Sequence, residues 1–246
     1  TCPNHAGDQM NGYILKPTNF DPSKRYPVVM SQYSGPGSQS VLDKWTIDWE
    51  YYLVSKGFIV ACVDGRGTGG RSRAYETSVY MQLGKLETED QVAGAEYMRT
   101  LPYVDGKHIG IYGWSYGGYE TLMAMSTSNG TYQAGVAIAP VTDWRYYDTI
   151  YAERFMRTPN ENNEGYEQSA PITHAEKLKG DLLIISGTAD DNVHYLNTLQ
   201  YSAALIEAGI QFDTQIYTNK DHHIRGCNTR HHLYTKVCNF FLDKLK

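Results

Sequence analysis

Residues 108–126 read His-Ile-Gly-Ile-Tyr-Gly-Trp-Ser-Tyr-Gly-Gly-Tyr-Glu-Thr-Leu-Met-Ala-Met-Ser. The opening run, 108–112, is short, apolar and β-prone, and it predicts a buried strand. The closing run, 117–126, predicts an apolar helix. Between them stands Gly113-Trp114-Ser115-Tyr116-Gly117, a G-x-S-x-G pattern. Strand before and helix after is the context that gives this pattern chemical meaning. The chain must turn sharply there, lifting the Ser115 hydroxyl off the end of the sheet. Glycines on both sides, with Gly118 behind, let strand and helix pack closely. The Tyr116 N–H, at the helix N-terminus, would face any oxygen that gains negative charge beside Ser115. Ser115 is the candidate nucleophile.

Working outward, five more apolar runs predict strands, at 27–31, 58–63, 135–139, 182–186 and 212–217. Several are continuously apolar, as parallel strands covered on both faces should be. Helical patterns lie between them. Thr88-Glu89-Asp90-Gln91 reads as a capping box opening a helix with Val92, Ala95 and Met98 on one face. Residues 195–208 predict another helix, closed by Gly209, and 230–244 predict the last. This alternation over residues 1–246, with the serine turn, predicts one α/β domain of the α/β-hydrolase class: a mostly parallel central sheet with helices on both faces. Two stretches break the rhythm. Residues 64–73 (DGRGTGGRSR) are Gly-rich and follow a strand, and 144–170 read as a long, aromatic, irregular loop of the kind that carries function.

Bulk properties exclude some classes. The net charge is −5 and the isoelectric point about 5.9, without the basic excess that nucleic-acid binding requires. No apolar run of about 18 residues is present, so no membrane-spanning helix is expected. Tyrosine is abundant, 21 against 6 Phe and 4 Trp, and such amphipathic rings suit binding clefts and extracytoplasmic surfaces. Cys2, Cys62, Cys227 and Cys238 show no metal-ligand spacing. Cys62 reads as a buried small hydrophobe, and Cys227 and Cys238 are candidates for a bridge. Asn129-Gly130-Thr131 is a weak glycosylation sequon. The chain opens Thr1-Cys2-Pro3, with no initiator Met and no signal peptide, and so reads as part of something longer.

A serine nucleophile needs a base and a group to orient the base. In this fold class the chain order is Ser, then acid, then His. Asp190 follows the 182–186 strand, and strand ends carry the sites of open parallel sheets. Its neighbour Asp191 competes for the role or caps the next helix. His222 follows the 212–217 strand and is the candidate base, with His223 as its rival.

At these residues the chain resembles the catalytic domains of the prolyl oligopeptidase family of serine peptidases, in its dipeptidyl peptidase IV-like branch. The resemblance rests on ordered motifs: Asp64-Gly65-Arg66-Gly67, Gly113-Trp114-Ser115-Tyr116-Gly117-Gly118-Tyr119, Ala139-Pro140-Val141, Trp144-Arg145-Tyr146-Tyr147-Asp148, Tyr151-Ala152-Glu153-Arg154, Gly187-Thr188-Ala189-Asp190-Asp191-Asn192-Val193-His194 and Asp221-His222. It implies Ser115 as nucleophile, Asp190 as acid and His222 as base. It implies that the Tyr33 hydroxyl joins the Tyr116 N–H in an oxyanion hole. Val141, Trp144, Tyr147, Tyr151, Val193 and the Tyr116 ring match a small pocket for proline, and Asn192 a donor to a substrate carbonyl. The implied activity is release of N-terminal dipeptides after a penultimate Pro or Ala, through an acyl-enzyme, with no metal or cofactor. A tripeptidyl peptidase, an esterase and a non-catalytic binding module share the same fold. The resemblance also implies a preceding β-propeller domain in the parent chain, a homodimer, a peptide substrate and an extracytoplasmic location.

Overall fold

The computed structural model describes residues 1–46 and 48–246. Eight strands form one sheet: β1 (Cys2–Pro3), β2 (Gln9–Leu15), β3 (Tyr26–Ser31), β4 (Ile59–Asp64), β5 (Val104–Trp114), β6 (Ala134–Ile138), β7 (Asp181–Gly187) and β8 (Asp213–Tyr217). Their order across the sheet is β1-β2-β4-β3-β5-β6-β7-β8. From β4 to β8 every neighbouring pair is parallel. At one edge β2 pairs antiparallel with both β4 and β1.

The helices are α1 (Glu50–Ser55), α2 (Arg73–Thr77), α3 (Lys85–Thr100), α4 (Tyr116–Thr127), α5 (Thr149–Met156), α6 (Asn163–Gln168), α7 (Leu196–Glu207) and α8 (Thr229–Lys244). Successive strand residues serve opposite faces, as the pleat requires. Val28 and Met30, Ile109 and Ile111, and Leu182 and Ile184 pack with Met98 of α3, Leu122 of α4 and Leu205 of α7. Val29, Tyr112, Leu183 and Ile185 pack on the other face with Leu53 of α1 and Leu233, Val237 and Phe241 of α8. Both faces of the sheet are therefore dry, which is why its strands read as unbroken apolar runs. The six strands expected from sequence are all present, with bounds shifted by a few residues.

Four expectations need correction. The edge strands β1 and β2 were not expected; β2 is polar and mixed, and its register comes from pairing with β4. The helix that carries Gln91 starts at Lys85, after Gly84, so Thr88 to Gln91 is no capping box. Gln91 is buried instead, its amide donating to the Val63 carbonyl at 3.2 Å and the Ser34 hydroxyl at 3.1 Å. The 144–170 stretch is an ordered helical excursion. Asp143 accepts from the Arg145 N–H and Asp148 from the Tyr151 N–H, capping a single 3-10 turn (Trp144–Tyr146) and α5. Cys227 and Cys238 are free thiols, one exposed in the loop before α8 and the other in the core.

The turn after β5 determines the packing. A Cβ on Gly113 would overlap the Gly117 carbonyl, and one on Gly117 would lie 2.6 Å from the Gln32 carbonyl oxygen. Neither obstacle is a movable side-chain tip. Gly113→Ala is therefore expected to lower unfolding free energy by about 3 kcal/mol or more, measured by urea denaturation. A loss within about 0.5 kcal/mol would contradict this packing.

Candidate active site

Five of the six parallel strands deliver a part of the site from their C-terminal ends. β5 leads into Ser115, β3 into Tyr33, β6 into Val141 and Trp144, β7 into Asp190 and β8 into His222. Loops from different strands thus meet at one rim of the sheet, as open parallel sheets dictate.

Ser115 has φ 61° and ψ −116°, a left-handed conformation that a side-chain-bearing residue keeps only when its surroundings enforce it. Its N–H donates to the Ile138 carbonyl at 2.8 Å, and its carbonyl accepts from Tyr119 N–H at 2.9 Å. The hydroxyl lies 2.9 Å from His222 Nε2, and His222 Nδ1 lies 2.8 Å from Asp190 Oδ2. With Asp190 as acceptor, the ring proton sits on Nδ1, leaving Nε2 to accept from the serine. Asp190 Oδ1 accepts from the Asn192 and Val193 N–H groups, each at 2.9 Å, so both carboxylate oxygens are engaged. The Asp190 side chain is only 1% exposed, and such a carboxylate must be satisfied in this way. The His222 loop is fixed from below by Trp114, whose indole N–H donates to the His222 carbonyl at 3.0 Å.

The sequence neighbours of Asp190 and His222 stand outside this chain of hydrogen bonds. His223 is exposed, and its hydrogen bond is to Asp221 rather than to Ser115 or Asp190. Asp191 is exposed and does not cap α7, whose first residue follows Tyr195 with no side-chain cap.

Beside Ser115 lies a small cavity lined by Tyr33, Tyr116, Val141, Trp144, Tyr147 and Tyr151. Trp144 and Tyr151 stack at 5.8 Å with 22° between planes, and Tyr147 meets Tyr151 edge-on at 5.3 Å. Val193 is buried in the same apolar cluster, behind the cavity wall rather than on its surface. Asn192 stands at the rim, where its side-chain oxygen accepts from the Tyr147 hydroxyl at 2.6 Å. Burial pushes the Tyr147 phenol up to about 12 and raises that of Tyr33, so both are neutral donors at physiological pH. A larger cavity, about 690 Å³, is lined by Leu83, Thr88, Met123 and His174 and does not include Ser115. Among the described residues, no group of His, Cys, Asp and Glu is placed to hold a metal ion, and no helix is long and apolar enough to cross a membrane.

The supporting contacts were not legible in the sequence. Gln32 donates from its side chain to the Gly117 carbonyl at 2.8 Å, tying the Tyr33 loop to the elbow helix. The Gly-rich 64–73 stretch buttresses that loop: Gly37 N–H donates to Gly67 O, and Gly69 N–H to Ser38 O, both at 2.8 Å. Arg66 anchors it in turn to buried Asp90, with a 2.7 Å contact between guanidinium and carboxylate. Glu87, 1% exposed, accepts from the Tyr116 hydroxyl at 2.8 Å. No local pattern marks these partners, because each contact joins residues far apart in the chain.

The sequence profile of the prolyl oligopeptidase family matches residues 45–246. The chain belongs to the prolyl oligopeptidase family. It is 43% identical over 240 residues to a probable dipeptidyl-aminopeptidase B of Grosmannia clavigera, covering 96% of this chain and 24% of that protein. It is 41% identical over 231 residues to dipeptidyl peptidase 4 of Sus scrofa, covering 92% and 30%. Among solved structures, dipeptidyl peptidase 4 of Porphyromonas gingivalis superposes with a TM-score of 0.97 at 55% identity, covering 99% of this chain and 35% of that one. The chain therefore spans about a quarter to a third of the length of these prolyl oligopeptidase family members. Its mostly parallel sheet, with helices on both faces, is the α/β-hydrolase fold.

Burial also makes a prediction about pH. Desolvation pushes the Glu87 carboxyl up to about 7, from 4.5 when free. Between those values the folded protein binds more protons than the unfolded chain, so stability falls as pH rises through that window. Glu87→Gln should remove part of this slope, up to about 1.4 kcal/mol per pH unit, in urea titrations between about pH 5 and 7. An unchanged slope would show that Glu87 does not titrate there.

Proposed function

We propose that this domain is the catalytic unit of a serine exopeptidase that releases N-terminal dipeptides after a penultimate proline or alanine. The observation that carries this reading is the Ser115–His222–Asp190 relay opening directly onto the Tyr116–Trp144–Tyr147–Tyr151 cavity. The relay supplies acyl transfer, and the cavity selects the residue at which it occurs.

A prolyl ring brings a compact apolar body and has no N–H to satisfy. It can sit among aromatic faces at no cost in unpaired donors. The substrate carbonyl then lies against Ser115, with its oxygen between the Tyr116 N–H and the Tyr33 hydroxyl. Ser115 Oγ attacks the carbonyl carbon while His222 Nε2 takes the hydroxyl proton. Asp190 holds the ring and stabilises the imidazolium that forms. As the tetrahedral intermediate collapses, the same proton passes to the leaving amine and the C–N bond breaks. Water, deprotonated by His222, attacks the acyl-enzyme; the ester bond to Ser115 Oγ breaks, His222 returns the proton to that oxygen, and the dipeptide leaves. Asn192, its side-chain oxygen held by the Tyr147 hydroxyl, offers its side-chain N–H to the carbonyl of the substrate's first residue.

Dipeptide length needs an anchor for the free amino terminus. In this reading that anchor belongs to a β-propeller domain of the same polypeptide, in an extracytoplasmic homodimer. A small aromatic cavity favours this account over an esterase, whose long acyl chain would find no room there.

In the full-length protein, Ser115→Ala should lower turnover of a Gly-Pro anilide by about four orders of magnitude and abolish fluorophosphonate labelling, with the fold intact by circular dichroism. Tyr33→Phe should cost roughly 10²–10³ in kcat. Near-normal hydrolysis by Ser115→Ala would exclude the assigned nucleophile. Cleavage of short acyl esters with none of the Gly-Pro anilide would favour the esterase, and release of tripeptides alone would shift the length assignment.

A further inference from the structure

Tyr116 serves the site twice. Its N–H stands beside Ser115 at the start of α4, and its ring forms one wall of the cavity. The ring is 3% exposed, with centroids 5.5 Å from Trp144 and 5.1 Å from Tyr119. Aromatic packing alone leaves a ring some freedom to slide. What pins its far end is the hydrogen bond to Glu87 Oε1, at 2.8 Å.

Glu87 is an unusual residue to find there. It lies in the first turn of α3, 1% exposed, and its Oε2 has no partner. Facing it are Glu120 of α4, fully buried with both carboxyl oxygens unpartnered, Asp90 of α3, which is paired with Arg66, and the phenols of Tyr119 and Tyr151. Among the described residues, no cation is paired with Glu87. An apolar side chain of similar size would avoid the cost of burying this carboxyl. It would also leave the Tyr116 hydroxyl buried without an acceptor.

Building on the proposed peptidase function, we propose that Glu87 is a positioning residue for proline selection: through the Tyr116 hydroxyl it fixes the wall against which the substrate's penultimate ring packs. Glu87 does not line the cavity, and its hydrogen bond to the cavity wall is the one it accepts from the Tyr116 hydroxyl. The wall matters most for a rigid ring that fills the cavity and least for a methyl group. Loss of the contact should therefore penalise proline substrates more than alanine ones. The serine–histidine chemistry, whose atoms Glu87 does not touch, should be spared.

The test uses the full-length protein with Gly-Pro and Gly-Ala anilides, and a fluorophosphonate as a probe of Ser115 itself. Glu87→Ala is expected to raise KM for Gly-Pro about tenfold, the scale of one buried hydrogen bond. The KM for Gly-Ala and the fluorophosphonate labelling rate should change less than about threefold. Tyr116→Phe, which keeps the ring and loses the hydroxyl, should show the same fall in the Pro-to-Ala preference, whatever it does to both substrates together, and serves alone if Glu87→Ala does not fold. Glu87→Gln, which keeps an acceptor oxygen, should restore the proline preference. Combining Glu87→Ala with Tyr116→Phe should add nothing to Tyr116→Phe alone. An unchanged Pro-to-Ala ratio in folded, labelling-competent Glu87→Ala or Tyr116→Phe would overturn the proposal. So would a full additional loss in the double variant. Both outcomes leave the peptidase reading standing. A wild-type protein that neither labels nor cleaves Gly-Pro would instead sink that reading, and this one with it.

Discussion

The whole site depends on one backbone constraint, the left-handed conformation of Ser115 at the junction of β5 and α4. A serine costs energy in that region, and here the cost is offset by what surrounds it. The Ser115 N–H is tied to β6, and its carbonyl continues into α4. The turn closes so tightly that Gly113 and Gly117 have no space for a Cβ. The consequence is a hydroxyl held off the sheet edge and a helix N-terminus directly beside it. Preorganised geometry of this kind places donors before charge develops, which is where most electrostatic stabilisation of acyl transfer originates.

The parallel sheet converts this local strain into a site. Because β3, β5, β6, β7 and β8 all point the same way, the loops that follow them share one rim. Loop-to-loop hydrogen bonds then fix the register. Gly187 passes so close to Lys220 that a side chain there would overlap its carbonyl, and the Ala189 N–H donates to that same carbonyl at 3.0 Å. Asp190 and His222 are thus placed by backbone contacts as well as by their own hydrogen bond. On the opposite flank, Gln32, Arg66 and Asp90 hold the Tyr33 loop against the elbow.

Much of this was legible in the sequence because it is local. Apolar runs marked β3 to β8, and the Gly-x-Ser-x-Gly spacing marked the elbow. Position after a strand narrowed the acid to Asp190 or Asp191 and the base to His222 or His223, and the family resemblance pointed to the first of each pair. The missed parts are those whose cause is distant. β2 carries no apolar run and owes its state to β4. The start of α3 looked like Thr88 because Thr and Gln three apart mimic a capping box, yet Gln91 serves the strand-end loops instead. The helices within 144–170 had a readable signal in the capping Asp143 and Asp148, outweighed by the density of aromatic and polar residues. Glu87, buried under the cavity wall, had no signal, since a lone acidic residue near a helix start is ordinarily a solvated one.

Structure determination of the full-length protein after reaction with a fluorophosphonate tests the central claim most directly. The account predicts phosphorus bonded to Ser115 Oγ and His222 still paired with Asp190. It also predicts one phosphoryl oxygen within about 3 Å of both the Tyr116 nitrogen and the Tyr33 hydroxyl. Phosphorus on another residue, or on Ser115 with that oxygen turned to solvent away from both donors, would contradict it.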